Sequence, residues 1–527
     1  MHLLTHAHIR TLDPRRPYAS ALLVRADGRI AAVGTRRELR AAFGARITRE
    51  TSLDGAVVWP GLTDGHFHLR QYAALLHAVD CATPTRAECV RRVAQRVRQQ
   101  PPGTWVIGHG WDQNVWPEGY GTAADLDAVA RHHPVFLTAK SLHAAWVNTA
   151  ALQAAGLSPT AEDPPDGHYG RDARGRLNGL LFEGAIARVR RAIPRPTAAQ
   201  VAAQMREALP RLWALGLTGV HNFDRTLSFD ALQRLRHTGA LQLRVAQYLP
   251  WDMGAAIAAL RWRAPGADAW LWPVGLKGFA DGALGPRTAA MLMPYADTGH
   301  RGTLLLTAEQ VAAKAAQVGP WGWSLAVHAI GDAANRAVLR GFAAARAREA
   351  AAEPFPMPRH RIEHAQRVAP DDLEAFGRLG VIASMQPVHA LSDMTMAEQA
   401  WGARCETAYA WRRLDLVGAR LVFGSDAPVE SPDPWLGLWA AVTRRRPDGT
   451  PQGGWYPEQR LTLEQALLAY TVGPAYAAFR EHDLGRLAQG YWADLIVLPH
   501  DPFALPPEAL LETRPTRVMI HGRWVWP

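Results

Sequence analysis

Eight short apolar runs, spaced through the middle of the chain and separated by helical patterns, constrain the fold more than any other feature. The candidate strands are Val57 to Phe67, Thr218 to Asn222, Leu243 to Leu249, Val274 to Ala280, Ser324 to Ala329, His360 to His364, Val381 to Gln386 and Leu421 to Gly424. Helical periodicity is predicted between several of them, at Ala308 to Gln317, Ala333 to Ala350 and Asp371 to Leu379. Strands that alternate with helices signal βα units, because parallel neighbours need a crossover between them. Eight such units are what closes a TIM-like (β/α)8 barrel. The stretch from about 82 to 211 is too long for one connection. It reads as an insertion after the first strand, with elements of its own, and as a lid.

The two ends of the chain differ from the middle. Ala21 to Gly34 holds two apolar runs around Asp27-Gly28, a hairpin signal. Gly485 to Pro502 and Thr516 to Pro527 are again strand-rich with glycine turns. Chain termini often lie close together. The ends therefore predict one small composite β-sandwich, 1–58 with 482–527, beside a barrel spanning 59–481.

Bulk composition removes several function classes. Apolar residues make up 48% and charged residues 20% of 527, which is globular and not disordered. The net charge of +10 invites a nucleic-acid reading. Arginine is spread along the chain, however, and the densest runs, Arg91 to Arg98 and Arg444 to Arg446, are short. They fit solvated helix faces better than a phosphate track, so no nucleic-acid partner is expected. Three cysteines without a CxxC argue against a disulfide framework and a thiolate zinc site. The N-terminal MHLLTHAHIRTLDPRR lacks the apolar core of a signal peptide, and no uncharged run is long enough to span a bilayer. A cytoplasmic protein with no membrane partner is expected. Dimers are common among such barrels, but no interface is legible.

The chemistry-bearing residues cluster at strand ends. In DGHFH, His66 and His68 are two apart and share one side of a strand, where two imidazoles can grip one divalent cation. Surface HxH pairs are common, so the pair alone is a weak signal. Lys277 lies inside an apolar strand, His328 and His364 end two later runs, and Asp426 follows a Gly-Ser break. Each has a bland alternative: a hydrogen-bonded histidine, a snorkelling lysine, a helix-capping aspartate. Their order is what points to a site, with HxH on the first strand, Lys on the fourth, His on the fifth and sixth and Asp on the eighth.

The chain resembles the amidohydrolase superfamily, and within it the branch of YtcJ-like proteins and N-substituted formamide deformylase. The matching segments run over essentially its whole length and include WPGLTDGHFH, LKGFADGALG, VHAIGDAAN, RHRIEHAQRV, ASMQPVHA and FGSDAPVESPDPWLGLWAAVTR. The resemblance implies a barrel with a composite sandwich and metal-dependent hydrolysis, usually of C–N bonds. It implies that His66 and His68, with Asp426, hold a first metal and that His328 and His364 hold a second. Lys277 would bridge the two as a carbamate, since an ammonium has no lone pair and repels cations. A single metal beside an uncarboxylated Lys277 is the alternative. Imidazole and carboxylate ligands suit zinc, and iron, manganese or nickel would be tolerated. Asp426 is the expected catalytic base, taking a proton from water and passing it to the leaving nitrogen.

Further residues are read as substrate contacts or, equally, as structural: His143, Trp111, Trp146, Asp281, Arg287 and Gln386. Asp64, Glu363 and Asp332 are candidates to orient imidazoles. Strand parity turns Glu363 away from His364, which leaves a structural ion pair as its alternative. The leading expectation is hydrolysis of an N-acyl or N-formyl group on a small, partly apolar substrate. Deamination, cyclic-amide opening, ester hydrolysis and a non-catalytic binding protein are the rivals.

Overall fold

A computed structural model describes residues 1–141, 143–352 and 357–527. Contacts divide the chain into two compact units, one made of Met1–Tyr72 with Met205–Pro527 and the other of Ala73–Gln204.

The larger unit contains the barrel. Its strands are β1 (Leu62–Phe67), β2 (Leu217–Asn222), β3 (Arg244–Pro250), β4 (Leu271–Phe279), β5 (Ser324–Ala329), β6 (Arg361–His364), β7 (Ile382–Met385) and β8 (Leu421–Phe423). They follow one another in chain order, every neighbouring pair parallel. Between β4 and β5 the helix Ala308–Val318 starts where Thr307 accepts from the Gln310 N–H in a capping box. It and the helix Asp332–Ala352 pack on β5, whose Leu325 and Val327 are fully buried. This is the burial that a run of continuous apolar residues requires of a parallel sheet.

The barrel closes between β8 and β1 at their C-terminal ends. Phe67 bridges Ala427 in the parallel sense, the His68 N–H donates to the Ala427 carbonyl (2.9 Å), and the Asp426 N–H donates to that of His66 (2.8 Å). The buried Asp64 carboxylate fastens the same seam, accepting from the Ser425 N–H (3.0 Å) and hydroxyl (2.6 Å). Gly65 lets the two strands meet, because a Cβ there would lie 2.2 Å from Val422 Cγ1 and 2.8 Å from the Phe423 oxygen.

The two ends of the chain build the composite sandwich. A six-stranded sheet orders Arg523–Trp526, Arg517–Ile520, Leu495–Leu498, Val57–Pro60, His8–Arg10 and Tyr18–Ala19. A four-stranded sheet orders Ile30–Gly34, Ala21–Val24, His2–Thr5 and Arg49–Ser52, with the expected hairpin turning at Gly28 (φ 85°). Leu4, Leu22 and Val24 of one sheet share a core with Ile9, Val58, Leu495 and Met519 of the other. The run Val57 to Phe67 is thus two strands in two sheets, not one. The Gly61 N–H bonds to the Asp494 carbonyl and the Leu62 N–H to that of Gly216, so the chain changes partners there. Arg244 of β3 holds the same C-terminal segment through a buried bidentate pair with Asp494, at 2.7 and 2.9 Å.

The smaller unit carries its own six-stranded sheet, in the order Gly167–Arg171, Leu177–Glu183, Ala144–Val147, Val135–Ala139, Val106–Trp111 and Val79–Asp80. Among the described residues no helix is long and apolar enough to cross a membrane.

The seam gives a direct test. Substituting Gly65→Ala should overpack it at a cost of about 1–3 kcal/mol, seen as a lower melting temperature. An unchanged melting temperature would show that the close approach at Gly65 is not required.

Candidate metal centre

His66, His68, Lys277, His328, His364 and Asp426 come from five different strands or strand ends and line one cavity of about 460 Å³. Two sets of ligand atoms each lie mutually within 4.8 Å: His66, His68 and Asp426, and His364, His389 and Asp426. Asp426 belongs to both. His68 Nε2 is 3.1 Å and His66 Nε2 3.5 Å from Asp426 Oδ1, while His389 Nε2 stands 4.0 Å from Oδ2.

The hydrogen bonds fix which nitrogen of each ring is free. His66 Nδ1 donates to Glu363 Oε2 at 2.6 Å, which leaves its Nε2 lone pair facing the cavity. His364 Nδ1 donates to Gln386 Oε1 at 2.7 Å and is freed at Nε2 in the same way. His328 Nε2 donates to the Gly282 carbonyl at 2.8 Å, which leaves Nδ1 as its acceptor nitrogen. The His328 and His364 rings are T-shaped at 4.6 Å. Burial keeps His66 neutral, pushing its pKa down to about 3, with Lys277 adding to the effect. Burial and Lys277 likewise take His328 to about 4. His68 behaves oppositely. Burial lowers it, but the Asp224 and Asp426 carboxylates prevail and raise it to about 9.

Lys277 is the least satisfied group. Its side chain is buried, with the residue 6% exposed, and its Nζ lies 3.5 Å from His66 Nε2. The rings of Phe223 and Phe279 lie at 4.8 and 5.1 Å, and among the described residues the ammonium makes no ion pair within 4.0 Å. Burial lowers its pKa to about 8 against the pull of Glu363 and Asp426, so an appreciable fraction is a neutral amine near neutral pH. A buried cation among imidazoles without a carboxylate partner is costly. His68 Nδ1 and His389 Nε2 are buried without a hydrogen bond, with carboxylate oxygens of Asp224 and Asp426 at 3.8 and 4.0 Å. The donor set therefore fits divalent cations.

Glu363 resolves the parity question. It shares the barrel interior with Arg361, which donates to it through Nε (2.5 Å) and Nη2 (3.0 Å), and it accepts from Ser384 Oγ at 2.7 Å. It is both an ion-pair partner and the group that orients His66 from across the barrel. His364, one residue on, still enters the site because the chain leaves the extended region there, with φ of 73° at His364 and 41° at Ala365. Asp426 is also left-handed, at φ 59°. Strain of this kind, on residues other than glycine, gathers at functional sites. Asp64 and Asp332 orient no imidazole. Asp64 binds the seam, and Asp332 pairs with Arg367 (2.8 Å) and takes the Leu292 N–H.

The remaining candidates separate. Trp111 and Trp146, each 1% exposed, sit in the hydrophobic core of the smaller unit and donate their indole N–H to the Leu137 and Thr122 carbonyls. Of the two roles open to them, their burial favours packing inside that unit. Asp281 is buried, with its carboxylate accepting from the N–H groups of Ala290, Ile330 and Gly331 and standing 3.5 Å from His328 Nε2, so it meets the site through that ring. Arg287 is paired with Asp297 at 2.6 Å and donates to the Leu284 carbonyl, so its guanidinium serves the loop. Gln386 is buried under His364 and reaches the site only through that ring. His143, in the smaller unit, is exposed and paired with Glu183 at 3.0 Å. His389 was missed by sequence reading. It belongs to the helix Pro387–Trp401, and only its place two residues beyond Pro387 in QPVHA hinted at it.

Comparison with known proteins agrees with this geometry. The profile described as the amidohydrolase family matches residues 49–526. The amidohydrolase-family protein YtcJ of Bacillus subtilis is 32% identical over 513 residues, covering 95% of this chain and 94% of its own. N-substituted formamide deformylase of Arthrobacter pascens is 28% identical over 539 residues, covering 99% and 97%. The crystal structure of an uncharacterized metal-dependent hydrolase from Pyrococcus furiosus superposes with a TM-score of 0.79 at 29% identity, over 95% of this chain and 99% of that one.

The Glu363 contact predicts that Glu363→Gln weakens zinc binding about 10- to 100-fold, measured as a dissociation constant on the folded variant. Unaltered affinity would mean that Glu363 serves only Arg361.

Proposed function

This chain belongs to the amidohydrolase family and is a metal-dependent hydrolase, and from that premise we propose that it cleaves an amide-type C–N bond. The group removed is an N-acyl or N-formyl group on a small, partly apolar substrate. The observation that carries the reading is Lys277, buried beside His66 without an ion pair among the described residues and within one cavity with His68 and Asp426. If its neutral amine added to carbon dioxide and lost a proton, the resulting carbamate would replace a buried cation by an anionic oxygen donor suited to divalent cations. His66, His68 and Asp426 would hold one ion and His328 and His364 the other, with His389 beside the second as a further donor. Zinc suits these nitrogen and oxygen ligands.

When bound, the divalent cations supply Lewis acidity and make water acidic enough to lose a proton near neutral pH. The protein does the rest. Glu363 and Gln386 hold the His66 and His364 rings with one nitrogen presented inward. Asp426 is held well below the usual carboxylate range: burial works to raise it, and His66 and His68 more than offset that. An ionised Asp426 accepts the proton of the attacking water and returns it to the leaving nitrogen. The apolar walls, among them Phe279, Leu284, Ile330 and Met396, receive the apolar part of the substrate. The likeness to a formamide deformylase over nearly the whole of both chains supports the choice of bond.

Two measurements test this. The zinc-loaded enzyme should hydrolyse members of a panel of formamides and N-acyl amines in preference to hydantoins and esters. A preference for esters or hydantoins would overturn the assigned bond. Assayed with enough zinc to saturate the variant, as checked by mass spectrometry, Asp426→Asn should lower kcat by about 10²–10⁴. Wild-type turnover in that variant would remove Asp426 from the proton transfer.

A further inference from the structure

The site does not end at the metal ligands. His68, Lys277 and Phe279 line a second cavity of about 470 Å³ as well as the first, so they form a divide with one lobe on either side. Phe279 is about half exposed and stands on that divide. Beyond the proposed metal ligands, the first lobe carries the polar side chains of Gln366, His389, Asp393 and Glu430 beside the apolar Leu284, Ile330, Met396 and Val429. The second is lined by Arg70, Gln71, Asp224, Arg225, Trp251 and Asp252.

Two arginines and two aspartates line this second lobe, but they are not paired off one to one. Arg225 is paired with Asp252 at 3.3 Å. Asp224 is buried and occupied, accepting from the Arg70 N–H (2.6 Å), Gln71 Nε2 (3.4 Å) and Ser228 Oγ (3.4 Å), with His68 Nδ1 at 3.8 Å. Arg70 is left over. Its backbone N–H is bound, and its half-buried guanidinium makes no hydrogen bond or ion pair among the described residues. It stands in the helix Leu69–Leu76, one residue beyond the first turn-in from His68, whose Leu69 N–H is held by Asn222 Oδ1 at 3.0 Å. The helix start is therefore anchored to β2, and Arg70 is carried on a fixed base.

We infer that Arg70 anchors a subsite for a carboxylate on the amide substrate. A guanidinium presents donors in a fork that matches a carboxylate in two places, which gives orientation as well as attraction. With its carboxylate on Arg70, the substrate lays its amide across the divide at His68 and Lys277 and its apolar body along Phe279 into the first lobe. The substrate class becomes a carboxylate-bearing N-acyl or N-formyl amine. This rests on the hydrolysis proposed above and adds the group that selects among its substrates.

Two probes differ only in the charge: N-formylphenylalanine and N-(2-phenylethyl)formamide. The zinc-loaded wild type should prefer the first, mainly through KM. Substituting Arg70→Gln should raise KM for the first about 10- to 100-fold and leave both constants for the second nearly unchanged. Substituting Arg70→Lys should recover part of the loss, because the charge remains and the fork does not. Equal efficiency on both probes, or the same loss on both in Arg70→Gln, would overturn the subsite while leaving the hydrolysis standing. Calorimetric binding of N-formylphenylalanine reads the subsite apart from turnover. Weaker binding to Arg70→Gln without hydrolysis of either probe would support the subsite and sink the assigned reaction. Equal binding to wild type and Arg70→Gln would overturn the subsite whatever the turnover.

Discussion

The contact between Glu363 and His66 is the constraint on which the site depends. Glu363 can stay ionised inside the barrel because Arg361, itself fully buried, donates to it twice. Burial works to raise the Glu363 carboxyl, and Arg361 and His66 hold it well below its usual range. The same guanidinium donates to the Gly65 carbonyl at 2.7 Å and to His221 Nδ1 at 2.8 Å, so it ties β6 to β1 and β2. A buried pair of this kind gains little net stability over an apolar core, but losing one partner is expensive. Here it fixes one ring nitrogen inward, at the point where the barrel also closes.

Closure and chemistry occupy the same few residues. The seam between β8 and β1 is made by Asp64, Gly65, His66 and His68 on one side and Ser425, Asp426 and Ala427 on the other. Two of the proposed ligands, His66 and Asp426, exchange a backbone hydrogen bond across it. A strand-end site in a closed barrel draws its donors from elements far apart in sequence, each held by pairing with its neighbours. This is why His66 and Asp426, 360 positions apart in chain numbering, can share one ion.

Much of this was legible in the sequence, for identifiable reasons. The eight strands announced themselves because a parallel barrel buries both faces of each strand, which leaves continuous apolar runs such as SLAVHA. The sandwich was legible from glycine-punctuated strands at both ends. Three things were hidden. The split of Val57 to Phe67 depends on a change of partner at Gly61, where a Cβ would meet Thr218 at 2.3 Å, and no local pattern encodes a partner. The place of His364 depends on a left-handed backbone, which alternation cannot foresee. His389 lies on a helix after β7 rather than at a strand end, so a search of strand ends passed over it. The role of Trp111 and Trp146 was open in the sequence, since tryptophan serves packing and recognition equally well and only burial separates the two.

Lys277 carries the central claim of the proposed function, which places a carbamate between two ions on a buried amine that makes no ion pair among the described residues. The most direct test is a crystal structure of the zinc-loaded protein with anomalous diffraction collected at the zinc edge. The account predicts electron density for a carboxylate on Lys277 Nζ and two anomalous peaks flanking it. One peak should lie at about 2.0–2.2 Å from His66, His68 and Asp426, and the other should lie at His364. A bare Lys277 amine with no anomalous peak between these residues would contradict it.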